Sequence, residues 1–300
     1  MISFNLSVDF ELGWGDLRRV AYDDAFYRRV VAGLEQTQNV LGILNRNALP
    51  STWGVVGGCC CGSLDELRER APRAFAVVEE QLRKVVARRP AYREVLFCRG
   101  AVESISRSAG VELGSHGFMH LVPDNLRTDV LRDDVSASVR ALHALSGKEV
   151  VSFIPPQNYH WPDQAFTHSG IRYVRHTPDI FGYAYSDPRT PAKLARLWND
   201  LVRPVHHRDS GEPDVRLFFL RLDRGARVWS TQLLMIRRLI ASGNGSVFCY
   251  IHPHNLDTPA LVGRLAELCD VIAQGRDSGK LGFRRFCREL HSSEEVLVKD

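Results

Sequence analysis

The chain has 300 residues, 44% hydrophobic and 25% charged, with a formal net charge of +4. This is the make-up of a globular protein with a sizeable core, and it excludes a disordered or low-complexity chain. The small net charge, with arginines dispersed rather than gathered beside stacking aromatics, argues against a nucleic-acid partner, and no segment approaches the roughly 20 apolar residues of a membrane span.

Ile2 to Val8 alternates apolar and polar residues, which predicts a strand, and it delivers Asp9 and Glu11 at its end. From Tyr22 to Asn47 the residues Phe26, Val30, Leu34, Leu41 and Leu44 fall at helical spacing, with Asp23 and Asp24 at the positive helix start. Leu49 to Val56 predicts a second strand, closed by Gly57-Gly58. A basic helical insertion is expected at about 62–95, its alternating charges forming a solvated face and Pro90 ending its main helix. Val111 to Gly114 predicts a strand that delivers His116 and His120. Leu131, Val135, Val139, Leu142 and Leu145 mark another helix, with Gly147 as its C-cap. Glu149 to Phe153 reads as a strand ahead of Pro155, Pro156, Gln157 and Asn158. The irregular stretch at about 177–228 suits a loop-rich cap over a site, and Val247 to Ile251 predicts a strand ending in His252, Pro253 and His254. With no linker and no repeat, a single βα-alternating domain over residues 1–300 is expected.

His116-Gly117-Phe118-Met119-His120 has metal-ligand spacing: on one helical turn, residues four apart share a face and both imidazoles can reach one divalent ion. Among 11 histidines such a pair is weak by itself, and its weight comes from the layout around it. Four apolar runs end abruptly in carboxylates, imidazoles or carboxamides. If they are parallel strands, all four clusters lie at the C-terminal edge, where α/β folds build their sites. The seven cysteines, three of them consecutive at 59–61, lack a Cys-x-x-Cys pair and read as free thiols of a reducing compartment. The N-terminus carries no basic start and long apolar core, so a cytoplasmic protein is expected.

Leu6-Ser7-Val8-Asp9-Phe10-Glu11, the segment Glu112 to His120, and Ile251-His252-Pro253-His254, in that order, resemble the polysaccharide deacetylases of the NodB-homology group, which are carbohydrate esterase family 4-like. Ser51 to Gly57 looks like that family's second strand and Ser152 to Asn158 occupies the place of its third motif, so the likeness runs to about residue 255. It implies an α/β fold, a distorted (β/α) barrel, with a divalent metal, usually zinc, and hydrolysis of an N-acyl bond. Carried over, Asp9 is the catalytic base, His252 the catalytic acid, and His116 and His120 are metal ligands. Glu11 is the third ligand, matching an Asp-x-Asp pattern with a longer arm. Two positions depart from the family: Phe10 stands where many members place an aspartate ligand, and Ile154 where an arginine commonly precedes the proline pair. What orients Asp9 is therefore open, with Arg175 and Arg221 as candidate cations. Asn158, Trp14 and His254 are candidate substrate contacts, and Pro253 leaves open whether His252 or His254 points inward.

The chemistry is consistent with these roles. An amide is a poor electrophile, so its hydrolysis needs an activated water, a polarised carbonyl and a protonated leaving amine. Two histidines and one carboxylate are a known catalytic zinc set with an open position. The expectation is a metal-dependent hydrolase that removes an acetyl or similar small acyl group from an N-acylated amino sugar or sugar-containing metabolite, with homo-oligomerisation left open. The alternatives are a hydrolase of a cyclic amide or ureide, and a non-catalytic binding module on the same fold.

Overall fold

The computed structural model describes residues 1–175, 217–220, 226–243, 246–283 and 287–289. Its strands are β1 (Ile2–Phe10), β2 (Ser51–Val55), β3 (Val111–Ser115), β4 (Ser152–Phe153), β5 (Tyr173–Arg175), β6 (Leu217–Leu220), β7 (Ser246–Ile251), β8 (Leu281–Phe283) and β9 (Cys287–Glu289). The helices are α1 (Leu17–Tyr22), α2 (Asp24–Arg46), α3 (Leu64–Arg70), α4 (Pro72–Arg88), α5 (Tyr92–Leu96), α6 (Arg99–Arg107), α7 (Thr128–Ser146), α8 (Ala226–Ser242) and α9 (Pro259–Asp277).

One sheet, in the order β6-β7-β1-β2-β3-β4-β5-β9, curls into a largely parallel half-barrel. This is the distorted (β/α) barrel expected. β1 is its centre: β7 runs along one flank, while the other flank pairs with β8 at Ile2–Phe4 and with β2 at Ser7–Phe10. From Leu6 onward every residue of β1 is buried, so Asp9 and Glu11 are carried into the interior by a strand whose apolar neighbours fix its register.

The helices follow from local chemistry. Asp23 caps α2 by accepting the Phe26 N–H at 2.9 Å, and Phe26, Val30, Gly33, Thr37, Val40, Leu41 and Leu44 make its buried stripe. Gly147 closes α7 in the left-handed region, φ +67°, where a side chain would be strained. The basic insertion is two main helices rather than one, because Pro72 cannot donate to the turn before it and so starts α4 afresh. α4 is more than a solvated face: Phe75, Val78, Leu82 and Val85 are buried on the side that meets α1 and α7. β4 is two residues long, shorter than the 149–153 run expected.

Of the cap expected at 177–228, only β6 and the start of α8 fall among the described residues. The cysteines at 59, 60, 61, 98, 249 and 269 are free and buried. Among the described residues no helix is long and apolar enough to cross a membrane.

Candidate metal centre and active site

Because the strands are parallel, their C-terminal ends bring distant parts of the sequence to one edge of the sheet. β1 delivers Asp9 and Glu11, β3 leads into His116 and His120, β4 ends next to Ile154, β5 carries Arg175 and β7 is followed by His252.

Glu11, His116 and His120 are buried with one donor atom from each lying within 4.8 Å of the others. Glu11 Oε2 is 2.8 Å from His120 Nε2 and 3.3 Å from His116 Nε2. His116 Nδ1 lies 2.7 Å from the Ile154 carbonyl, which can only accept, so that nitrogen carries a proton and Nε2 is the atom turned toward Glu11. His120 Nε2 is buried and makes no hydrogen bond of acceptable angle despite its 2.8 Å approach to Glu11. Two buried ring nitrogens, one of them without a hydrogen-bond partner, thus face one carboxylate, and a divalent cation between them satisfies all three. The residues therefore fit the ion that their chemistry implies. Burial by itself would raise the Glu11 carboxyl, but the neighbouring imidazoles of His252, His120 and His116 hold it well below the usual range.

The two histidines do not share a helical turn, and the expectation of a helical pair is corrected here. Residues 116–120 form a loop in which Gly117 (φ +74°) and His120 (φ +55°) adopt left-handed backbone. Two reversals within five residues, rather than helical pitch, bring the rings to a centroid distance of 4.9 Å. Gly15 sits directly over Glu11: a Cβ on it would lie 2.3 Å from Oε1.

Asp9 is held by the cation the third motif lacks. Arg175 Nη1 donates to Asp9 Oδ1 at 2.6 Å and Nη2 to Oδ2 at 2.9 Å, a two-pronged buried pair. Nη1 also donates to Ser7 Oγ at 2.9 Å and Nη2 to Asn158 Oδ1 at 2.7 Å. Burial pushes the Asp9 carboxyl up, but Arg175, followed by His116 and His252, outweighs it and leaves the group below its ordinary value. Ile154 instead fills space left by two glycines: a Cβ on Gly54 or Gly114 would come within 2.9 or 2.7 Å of its side chain. Arg221, the other candidate cation, lies outside the described residues.

His252 Nε2 is 3.5 Å from Glu11 Oε1 and 3.8 Å from Asp9 Oδ2, with its side chain 23% exposed. His254, expected to touch substrate, points elsewhere. Its ring is buried edge-on against Phe26 at 5.9 Å, a Cβ on Gly33 would lie 2.9 Å from its own Cβ, and burial lowers its pKa to about 4. Trp14 is also corrected: it is buried, its indole N–H donates to the Leu96 carbonyl at 3.0 Å, and its ring edge lies against Gly58, so no face is left for a sugar. Asn158 is near the centre with its amide oxygen turned to Arg175.

One residue escaped the sequence reading. Asp134, on α7, is fully buried and accepts the backbone N–H groups of Phe118 and Met119. Its signal was present as an acid on the stripe between Leu131 and Val135.

No protein-family model and no curated protein matches the chain. Among solved structures it is similar to a candidate polysaccharide deacetylase from Mycobacterium smegmatis, at 16% identity over 96% of this chain and 94% of the other, with a TM-score of 0.51. That likeness shows a shared fold. Also matched are a carbohydrate esterase family 4 pseudoenzyme from Bacillus anthracis (14% identity, 94% of this chain and 63% of that one, TM-score 0.45) and a family 4 carbohydrate esterase from Streptomyces lividans solved with acetate (12%, 94% and 92%, 0.41).

Proposed function

We propose that the protein is a metal-dependent hydrolase that removes an acetyl or similar small acyl group from an N-acylated amino sugar or a sugar-containing metabolite. The observation that carries this reading is the convergence of Glu11, His116 and His120 beside an Asp9 clamped by Arg175 and an inward-facing His252. The fold shared with a candidate polysaccharide deacetylase supports the acyl-sugar substrate class.

Glu11 and the two histidines would hold the ion, and a zinc there supplies Lewis acidity toward an acyl carbonyl and a water molecule. The rest of the chemistry falls to the chain. Asp9, ionised through Arg175, accepts a proton from the attacking water on the oxygen that faces His252. His252, standing between Asp9 and Glu11 and partly open to solvent, gives a proton to the nitrogen that leaves as the carbon–nitrogen bond breaks. The products are a free carboxylate and an amine. Arg175 and Ser7 keep Asp9 from rotating out of line. The non-catalytic alternative rested on Phe10 and Ile154, yet Phe10 is a core residue and Arg175 supplies the cation that Ile154 does not.

Elemental analysis of the desalted protein, before and after incubation with zinc, tests the metal. Acetate release from a panel of N-acetylated amino sugars and their nucleotide-linked forms then tests the reaction. About one zinc per chain, with Asp9→Asn keeping the metal and losing most turnover, is the expected result. A chain that retains no metal, or an Asp9→Asn variant with near-normal turnover, refutes this reading.

A further inference from the structure

Three consecutive backbone N–H groups between the two candidate histidine ligands are bonded to side chains anchored on one helix. Phe118 N–H donates to Asp134 Oδ2 at 2.9 Å and Met119 N–H to Asp134 Oδ1 at 2.7 Å. Gly117 N–H donates to Ser115 Oγ at 3.2 Å, and Ser115 Oγ–H donates to Ser138 Oγ at 2.8 Å. Asp134 and Ser138 are one turn apart on α7, so they stand on one face of that helix. Asp134, Ser138 and Ser115 are all buried to 0% exposure. The cradle is tight: a Cβ on Gly117 would lie 2.6 Å from Asp134 Oδ2, and one on Gly57 would lie 2.9 Å from Ser138 Oγ.

We infer that Asp134 is the positioning residue of the metal loop, with Ser138 in support, fixing the left-handed turn that aims His116 and His120 at one ion. This rests on the metal-centre reading above. The loop's geometry is costly unaided. Left-handed backbone at a non-glycine residue such as His120 is sterically strained, and buried N–H groups left unpaired add the cost of their lost solvation. A single carboxylate that takes two adjacent N–H groups offsets both costs at once. Among the described residues no cation is hydrogen-bonded to Asp134 in compensation; burial pushes its carboxyl up to about 7 even though both N–H bonds pull it down. A fully buried acid on the packed face of a helix is expensive for a fold to keep, and its hydrogen bonds run to the loop between the ligands. α7 itself never contributes a ligand, yet its rotation and register set where both imidazoles point.

The test is zinc affinity of the metal-stripped full chain, read by competition with a chromophoric chelator, for wild type, Asp134→Asn, Asp134→Glu, Ser138→Ala and Val135→Ala. Val135 lies next to Asp134, is equally buried and makes no bond to the loop, so Val135→Ala lowers stability without touching the cradle. Asp134→Asn presents an amide N–H₂ to a backbone N–H and is expected to weaken zinc by about 10–100-fold. Asp134→Glu recovers part of that loss, Ser138→Ala costs a few-fold, and Val135→Ala stays within about two-fold of wild type. Equal zinc affinity in Asp134→Asn and Val135→Ala overturns the proposal. Where Asp134→Asn does not fold, unchanged affinity in Ser138→Ala overturns it and the few-fold loss supports it. Wild type that binds no zinc refutes the metal centre itself, a different outcome from a centre that binds equally well without Asp134.

Discussion

Replacing Arg175 with Met keeps an unbranched stem of similar length and removes only the guanidinium. The structure sets the size of the effect. Arg175 donates twice to Asp9, at 2.6 and 2.9 Å, and once each to Ser7 and Asn158, with both charges buried. Removing one partner of such a pair leaves an uncompensated buried charge, a cost of about 3–5 kcal/mol out of a typical total of about 5–15. We expect Arg175→Met to lose about 4 kcal/mol in urea unfolding at pH 7 and still fold. Asp9→Asn strands the guanidinium and loses a comparable amount. The double variant has neither charge of the pair left and is more stable than the sum of the two losses by about 2–3 kcal/mol. The pH dependence follows from sign. Asp9 has a folded pKa below its ordinary value because Arg175 outweighs burial. Its contribution is therefore present above the unfolded carboxylate value of about 4 and lost as pH falls through the lower folded value. Without Arg175 burial acts unopposed by that cation, so the gap between wild type and Arg175→Met is wide at neutral pH and narrows in acid. Additivity of the two losses to within about 0.5 kcal/mol, or a gap that widens in acid, refutes the coupling.

Three other outcomes are expected. His116→Ala abolishes zinc retention while the far-ultraviolet circular dichroism of the fold persists; retained zinc removes His116 from the ligand set. Gly15→Ala places a Cβ 2.3 Å from Glu11 Oε1 and must displace that carboxylate, so chelator competition should show zinc affinity reduced about tenfold or more. Trp14→Phe gives up the bond to the Leu96 carbonyl and costs about 1 kcal/mol in thermal or urea unfolding, with KM for an accepted substrate unchanged. A raised KM would return Trp14 to the substrate path.

What the sequence made legible was the set of strand ends. Apolar runs that stop at Asp9, His116 and His252 announce themselves, because a strand buried on both faces must be apolar and a site needs polar groups where it ends. The half-barrel follows from alternating strands and helices. The route by which His116 and His120 meet was misread, since an i, i+4 spacing fits a helical turn and a doubly reversed loop equally well. Gly117 and the buried Asp134 hold the information that separates the two, but only three-dimensional contact makes it readable. Arg175 was one of two arginines considered. Its pairing with Asp9 spans 166 residues, and no local pattern encodes a partner at that distance. Trp14 and His254 were misplaced for a related reason. Nearness in sequence to a motif does not fix which way a side chain turns, and both turn into the core, Trp14 toward Gly58 and His254 toward α2.

Arg175 belongs to β5, and β2, β3 and β4 separate it from β1 in the sheet. Its grip on Asp9 is thus a chord drawn across the curl, joining two strands that share no ladder. Such a chord ties the curvature of the sheet to the ionisation of Asp9. Any flattening of the sheet that lengthens the chord withdraws the guanidinium and lets burial raise the Asp9 carboxyl. β5, paired on one side with β4 and on the other with β9, then holds one end of that chord, and its place in the sheet sets the reach of one side chain.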